Sequence, residues 1–177
     1  MKKNFCWILF SVIALTASAQ RFVVDTSTIT FFSDAAIEDI EATNKKATGI
    51  FDAGSNNIAF SIPINQFQFE RKLMQQHFNE KYMESEKFPT STFSGAVQGY
   101  NPEEKGTQEV VAKGKLKIHG VTKQVEIKGT INQGTSMEMN AKFIVVLKDY
   151  KVKIPQLLWQ NIAEQVEVTV QFTFKNE

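Results

Sequence analysis

Few residues in this 177-residue chain are of a type and spacing to do chemistry. His77 and His119 are the natural candidates for a general base or a metal ligand. Glu80, Tyr82 and Glu84 follow His77 closely, but there is no His-x-x-x-His pair and no cysteine beside them, so a packed, hydrogen-bonded histidine suits His77 better than a metal ligand. His119 falls in a tight turn, where an imidazole bonds the local backbone; contact with a ligand is the alternative. Arg71 is the residue suited to hold a phosphate headgroup through charge-assisted hydrogen bonds, although the same guanidinium serves a carboxylate such as Glu70 or Glu84 equally well. The chain has no G-x-S-x-G elbow, no Gly-rich phosphate loop and no H-E-x-x-H, and no carboxylate pair stands out. The most an enzyme could be built from is a cofactor-free isomerase or cyclase working on an apolar substrate, with His77 or Glu80 as base. No cofactor and no metal are expected.

The first residues read as an address. Met1-Lys2-Lys3-Asn4 is a short positive region, Phe5 to Leu15 is apolar, and Thr16-Ala17-Ser18-Ala19 carries small residues in the A-x-A pattern. The apolar run is too short to span a bilayer, which needs about 20 such residues. Residues 1–19 are therefore expected to be a signal peptide cut before Gln20, which makes the product periplasmic or secreted. Cys6 leaves with it, so residues 20–177 hold no cysteine, although export would have permitted disulfides. Against 19 acidic residues the chain has 20 basic ones, and losing Lys2 and Lys3 takes the formal charge from +1 to −1. A balance that even gives no ground for nucleic acid or an anionic membrane surface as partner. No later apolar stretch is long enough for a membrane span, and a chain of this length buries enough surface to fold without staples.

The elements that must position any site repeat with a period of two. Val166, Val168, Val170, Phe172 and Phe174 alternate with Glu167, Thr169, Gln171, Thr173 and Lys175, giving a strand with one apolar and one wet face. The same alternation runs through 110–118 and 125–131, joined at His119-Gly120 as a hairpin, and through 137–147, 93–97 and 58–64. It is less regular over 21–32 and 46–52. Gly- and Asn-rich turns separate these segments at 52–57, 99–102 and 132–134. About eight short one-faced strands predict an all-β sandwich or up-and-down barrel, and eight is the number at which a barrel can hold one small ligand. Two stretches depart from the rhythm. Over Glu70–Glu84, Leu73, Met74, His77, Phe78 and Tyr82 recur at helical spacing, predicting an amphipathic helix that covers the barrel at a side or an end. At Ile154-Pro155-Gln156-Leu157-Leu158-Trp159, Pro155 bars a central strand and a short helical turn is expected.

If the strands close, the inward set is Phe60, Ile62, Phe93, Leu116, Ile118, Ile127, Met139, Phe143, Val168 and Phe172, with Gly95, Gly114 and Gly129 leaving room. Such a lining would hold an apolar chain by removing its surface from water, at roughly 25 cal/mol per Å², with few polar contacts. Met74, Met83, Met137 and Met139 suit an adaptable pocket, or merely fill gaps. The same alternation would arise in a barrel whose interior is filled as an ordinary core, leaving a structural or interaction protein. Lys113, Lys115 and Lys117 alternate with core positions and read as a solvated face meeting Glu126 and Lys128 across the hairpin.

The stretch Gly114-Lys115-Leu116-Lys117-Ile118-His119-Gly120-Val121-Thr122-Lys123 resembles the G-x-L-x-I-H-G-V-T-K hairpin of the YceI-like family of bacterial periplasmic proteins. Phe22-Val23-Val24-Asp25 with Ile29-Thr30-Phe31, Phe88-Pro89 ahead of Thr92-Phe93, and Val166 to Phe172 are similar in the same order. The resemblance implies an extended lipocalin-like barrel of eight antiparallel strands that binds polyisoprenoid or similar long apolar chains in its lumen. With no catalytic motif in the chain, a carrier of a polyprenyl or quinone-like lipid is expected rather than an enzyme. Phe69 to Ser85 replaces the Arg-Asp pattern of better-known members, keeping Arg71 alone, and Asp149 to Pro155 replaces their Arg-containing segment. This chain is expected to be a divergent branch.

Overall fold

The computed structural model describes residues 20–34, 39–154 and 163–177. The proposed signal peptide, and Pro155 to Trp159 of the expected helical turn, lie outside the described residues. Within them run β1 (Arg21–Ser33), β2 (Ile40–Asn44), β3 (Thr48–Asp52), β4 (Asn57–Pro63), β5 (Gln68–Phe69), α1 (Lys72–His77), β6 (Thr90–Gln98), β7 (Gly106–Ile118), β8 (Val121–Gln133), β9 (Met137–Val146) and β10 (Gln165–Asn176). Eight strands form a ring in the order β1-β3-β4-β6-β7-β8-β9-β10, and pairing of β10 with β1 closes it into an antiparallel barrel. Closure pairs the first strand with the last, where an open sheet would leave two full-length edges to protect.

Two of the wall positions are interrupted strands. β1 pairs with β3 through Arg21–Val23 and with β2 through Ile29–Ser33, so β2 continues the line of β3 beyond a break, and β5, paired with β2, does the same for β4. The break is fixed by Asn44, which is fully buried: its Nδ2 donates to the Pro63 carbonyl at 2.7 Å and its Oδ1 accepts from the Lys46 amide at 2.7 Å. β1 carries a bulge at Asp25, where the register jumps between Val24 and Thr26. Its inward residues are therefore Phe22 and Val24 before the bulge, then Ser27, Ile29, Phe31 and Ser33 after it. That change of parity is why the alternation over 21–32 is irregular in the sequence.

The β7–β8 hairpin closes on His119-Gly120, with φ of 49° and 75°, between the paired Ile118 and Val121. Two successive left-handed residues match the twist of the flanking strands, and glycine takes the second at no steric cost. One pole of the barrel is solid. Phe22, Phe51, Tyr100 and Phe174 pack there with ring centroids 5.2 to 6.5 Å apart, and Phe51 and Ile131 are wholly buried. Gln108 seals the loop above this plug: its Nε2 donates to the Asn101 and Glu104 carbonyls and its Oε1 accepts from the Asn101 amide.

Candidate functional site

The opposite pole is hollow. Beyond the plug lies a cavity of about 440 Å³, inside the range of ordinary ligand pockets. Its floor is the Phe60–Phe172 pair, stacked at 4.4 Å with 19° between the rings. Above the floor, Ile29, Ile58, Phe93, Leu116, Met139 and Ala141 form the wall. All ten side chains expected to face inward (Phe60, Ile62, Phe93, Leu116, Ile118, Ile127, Met139, Phe143, Val168 and Phe172) border this space. The glycines act differently from expectation. Gly95 and Gly114 sit opposite each other on β6 and β7, and a Cβ on either would meet the other's Cα at 2.7 Å. They permit a close crossing of two backbones rather than enlarging the hollow, and Gly129 likewise lies against the Asn140 carbonyl.

Polar groups gather at one rim. The expected helix over Glu70–Glu84 is shorter: α1 ends at His77 and the chain winds on through a wider π-type turn, Phe78–Tyr82, closed by the Met83 amide on the Phe78 carbonyl at 2.8 Å. Its apolar face is as read from the spacing, since Leu73, Met74, His77, Phe78 and Tyr82 all border the cavity. Phe78 anchors it among Phe31, Phe67 and Phe69 at 5.0 to 5.6 Å. Leu73 borders the cavity and is 63% exposed, so the hollow communicates with solvent beside α1. Arg71, His77, Tyr82, Ser33 and Ser91 supply the polar atoms of the lining. Burial raises the Tyr82 phenol above its ordinary value, which leaves a neutral hydroxyl there.

The candidate bases fare unequally. His77 borders the cavity, half-buried, whereas Glu80 is exposed, accepts from Gln76 Nε2 at 3.0 Å and lies away from the lining, so a base at Glu80 is not supported. His119 is buried in the hairpin turn. One ring nitrogen lies 3.2 Å from the Tyr150 carbonyl and the other 2.9 Å from Glu84 Oε2, while Phe88 meets the ring edge-on at 4.4 Å. It thus ties the end of the helical segment, the β7–β8 turn and the short helical turn Leu147–Tyr150 into one node at the hollow pole. No helix among the described residues is long and apolar enough to cross a membrane, and no three metal-capable side chains converge among them.

No curated protein sequence matches the chain significantly. Solved structures do share its fold. A polyisoprenoid binding domain from Saccharophagus degradans, implicated in plant cell wall breakdown, superposes with a TM-score of 0.76 at 12% identity over 88% of this chain and 98% of its own. BcnA of Burkholderia cenocepacia gives 0.68 at 18% identity, over 83% and 95%. A YceI protein of Campylobacter jejuni gives 0.52 at 16% identity, over 100% and 99%. At such identities these likenesses speak for the barrel alone. The family profile described as the YceI-like domain matches residues 21–174, nearly the whole of the described barrel. By that match, the chain belongs to the YceI-like family.

Proposed function

We propose that the protein is an exported carrier whose barrel, residues 20–177, holds an isoprenoid-like lipid such as a polyprenyl or quinone tail. One observation carries this reading: a hollow of about 440 Å³ whose floor and wall are hydrocarbon and whose polar atoms lie together at the rim. A filled core would leave no such space, and a pocket for a polar ligand would need bonding groups at its floor. The ten inward side chains grip the tail by excluding water, while Arg71 at the rim faces a headgroup. The family match and the polyisoprenoid binding domain among the related structures support the choice of lipid class. The N-terminal pattern, cut before Gln20, supports delivery to the periplasm or beyond.

A carrier returns its guest unaltered. Mass spectrometry of an organic extract of the protein purified from its own host is expected to show one isoprenoid lipid in stoichiometric amount. Protein that carries no lipid and binds no apolar dye would end the proposal. Turnover of a candidate lipid that disappears in His77→Ala would replace it with an isomerase.

A further inference from the structure

The barrel wall is not laced evenly. β7 and β8 pair along the whole hairpin, and β9 and β10 pair from Gln165↔Val146 to Phe174↔Met137. β8 and β9 pair only from Gly129↔Ala141 to Gln133↔Met137. Toward the hollow pole, Val121–Lys128 and Lys142–Val146 are two strand edges with no ladder between them. The next rung would set Lys128 directly against Lys142, and like charges opposite one another disfavour pairing. The outward charges on each lip turn away from the split: Lys142 meets Glu167 on β10 at 2.8 Å, and Glu126 meets Lys113 on β7 at 2.8 Å. Among the described residues, the split is bridged at the pole, by Lys123 to Asp149 at 3.4 Å and by His119 to the Tyr150 carbonyl. What remains is a slit in the side wall. Ile127, Ala141, Phe143 and Val145 border the cavity along it; Val125, Ile127 and Phe143 point inward yet are only half-buried, and Ile144 on the outer lip is 53% exposed.

The surface around the slit is cationic. From Lys113 to Lys153, nine lysines accompany three carboxylates, an excess of +6 in a chain whose total is +1. Among the described residues, Lys115, Lys117, Lys128, Lys148, Lys151 and Lys153 have no carboxylate within ion-pair reach. The near-zero total, which gave no ground for an anionic partner, averages this face with an acidic remainder. An acidic protein could answer the lysines, but it would have no use for a slit onto an oily cavity. A lipid surface answers both features, because an apolar chain that moves directly between bilayer and barrel never meets water.

We infer that the β7–β9 face docks on an anionic phospholipid surface, and that the slit is the lateral doorway by which an apolar chain passes between that surface and the cavity. The docking rests on the lysines; the doorway rests also on the carrier reading.

Co-sedimentation of the purified protein with vesicles of phosphatidylcholine, with or without phosphatidylglycerol, tests the docking. Binding is expected only with phosphatidylglycerol, to weaken as salt is raised, and to fall about tenfold or more in the K115E/K117E/K128E variant, whose three exposed positions leave the core untouched. Equal binding to phosphatidylcholine alone, or an undiminished variant, would overturn it. So would capture by polyglutamate without vesicle binding, which would point to an acidic protein. For the doorway, cysteines at Glu126 and Ile144 bridged by a bis-maleimide are expected to slow transfer of a fluorescent polyprenyl analogue from vesicles severalfold, without changing uptake from detergent micelles. Transfer at the unbridged rate would overturn it. Micelle uptake without sedimentation refutes docking and leaves the carrier; sedimentation without micelle uptake refutes the carrier and the doorway and leaves docking.

Discussion

Single side chains divide the barrel into a packed aromatic pole and a hollow one. Phe51 is fully buried among Phe22, Tyr100 and Phe174, so Phe51→Ala is expected to cost about 3–5 kcal/mol in denaturant unfolding while leaving dye uptake at the other pole intact. Phe143 borders the cavity and is half-buried, which makes it the place to separate wall from rim. Phe143→Arg puts a guanidinium into hydrocarbon and should weaken lipid uptake more than Arg71→Ala; equal effects would move the binding site to the rim. The inward side chains of β4, β6, β7 and β10 were legible because nothing interrupts their alternation. Whether they enclosed a hollow was not, since a filled core writes the same pattern; a cavity depends on how far apart opposite walls stand, which no single strand records.

Elements depend on contacts that the hydropathy rhythm hides. β2 escaped the sequence reading because its buried positions, Ala42 and Asn44, are small or polar and write no apolar alternation, and β5 because it is two residues long. The amphipathic face of Glu70–Glu84 was legible, but its change from α1 to a π-type turn was not. The Gly95–Gly114 crossing brings two backbones too close for a side chain, with a Cβ at Gly95 placed 2.2 Å from the Lys113 carbonyl oxygen. Gly95→Val must push β6 from β7 and is expected to destabilise by about 1–3 kcal/mol in thermal or chemical unfolding. His119 joins three elements through bonds to Glu84 and Tyr150. His119→Ala is expected to cost about 1–3 kcal/mol and to speed amide exchange selectively over 84–88 and 147–152, with the aromatic plug unaffected. Uniform acceleration throughout would mean that the node supports the whole fold.

The whole molecule is a barrel solid at one pole, open at the other and parted along one seam, and its charge is as unevenly shared as its packing. A guest that binds only the folded state stabilises it by mass action, by about 2.7 kcal/mol at a hundred times its dissociation constant. Long-chain prenols or quinones are accordingly expected to raise the melting temperature in a concentration-dependent way, while water-soluble headgroup analogues leave it unchanged; the reverse ranking would place recognition at the rim. The seam itself was beyond the sequence. Each of its edges belongs to a strand with an unbroken pattern, and only the register of β9 against both neighbours reveals that one partner is missing over half its length.

The first and last strands meet at the solid pole, where Phe22 lies opposite Asn176, the Glu177 amide bonds the Arg21 carbonyl at 3.1 Å and the Ala53 amide bonds that of Gln20 at 3.0 Å. A tether, tag or fused module attached beyond the last strand projects away from the hollow pole, so the barrel can be immobilised or fused to a reporter with its lumen still facing solution.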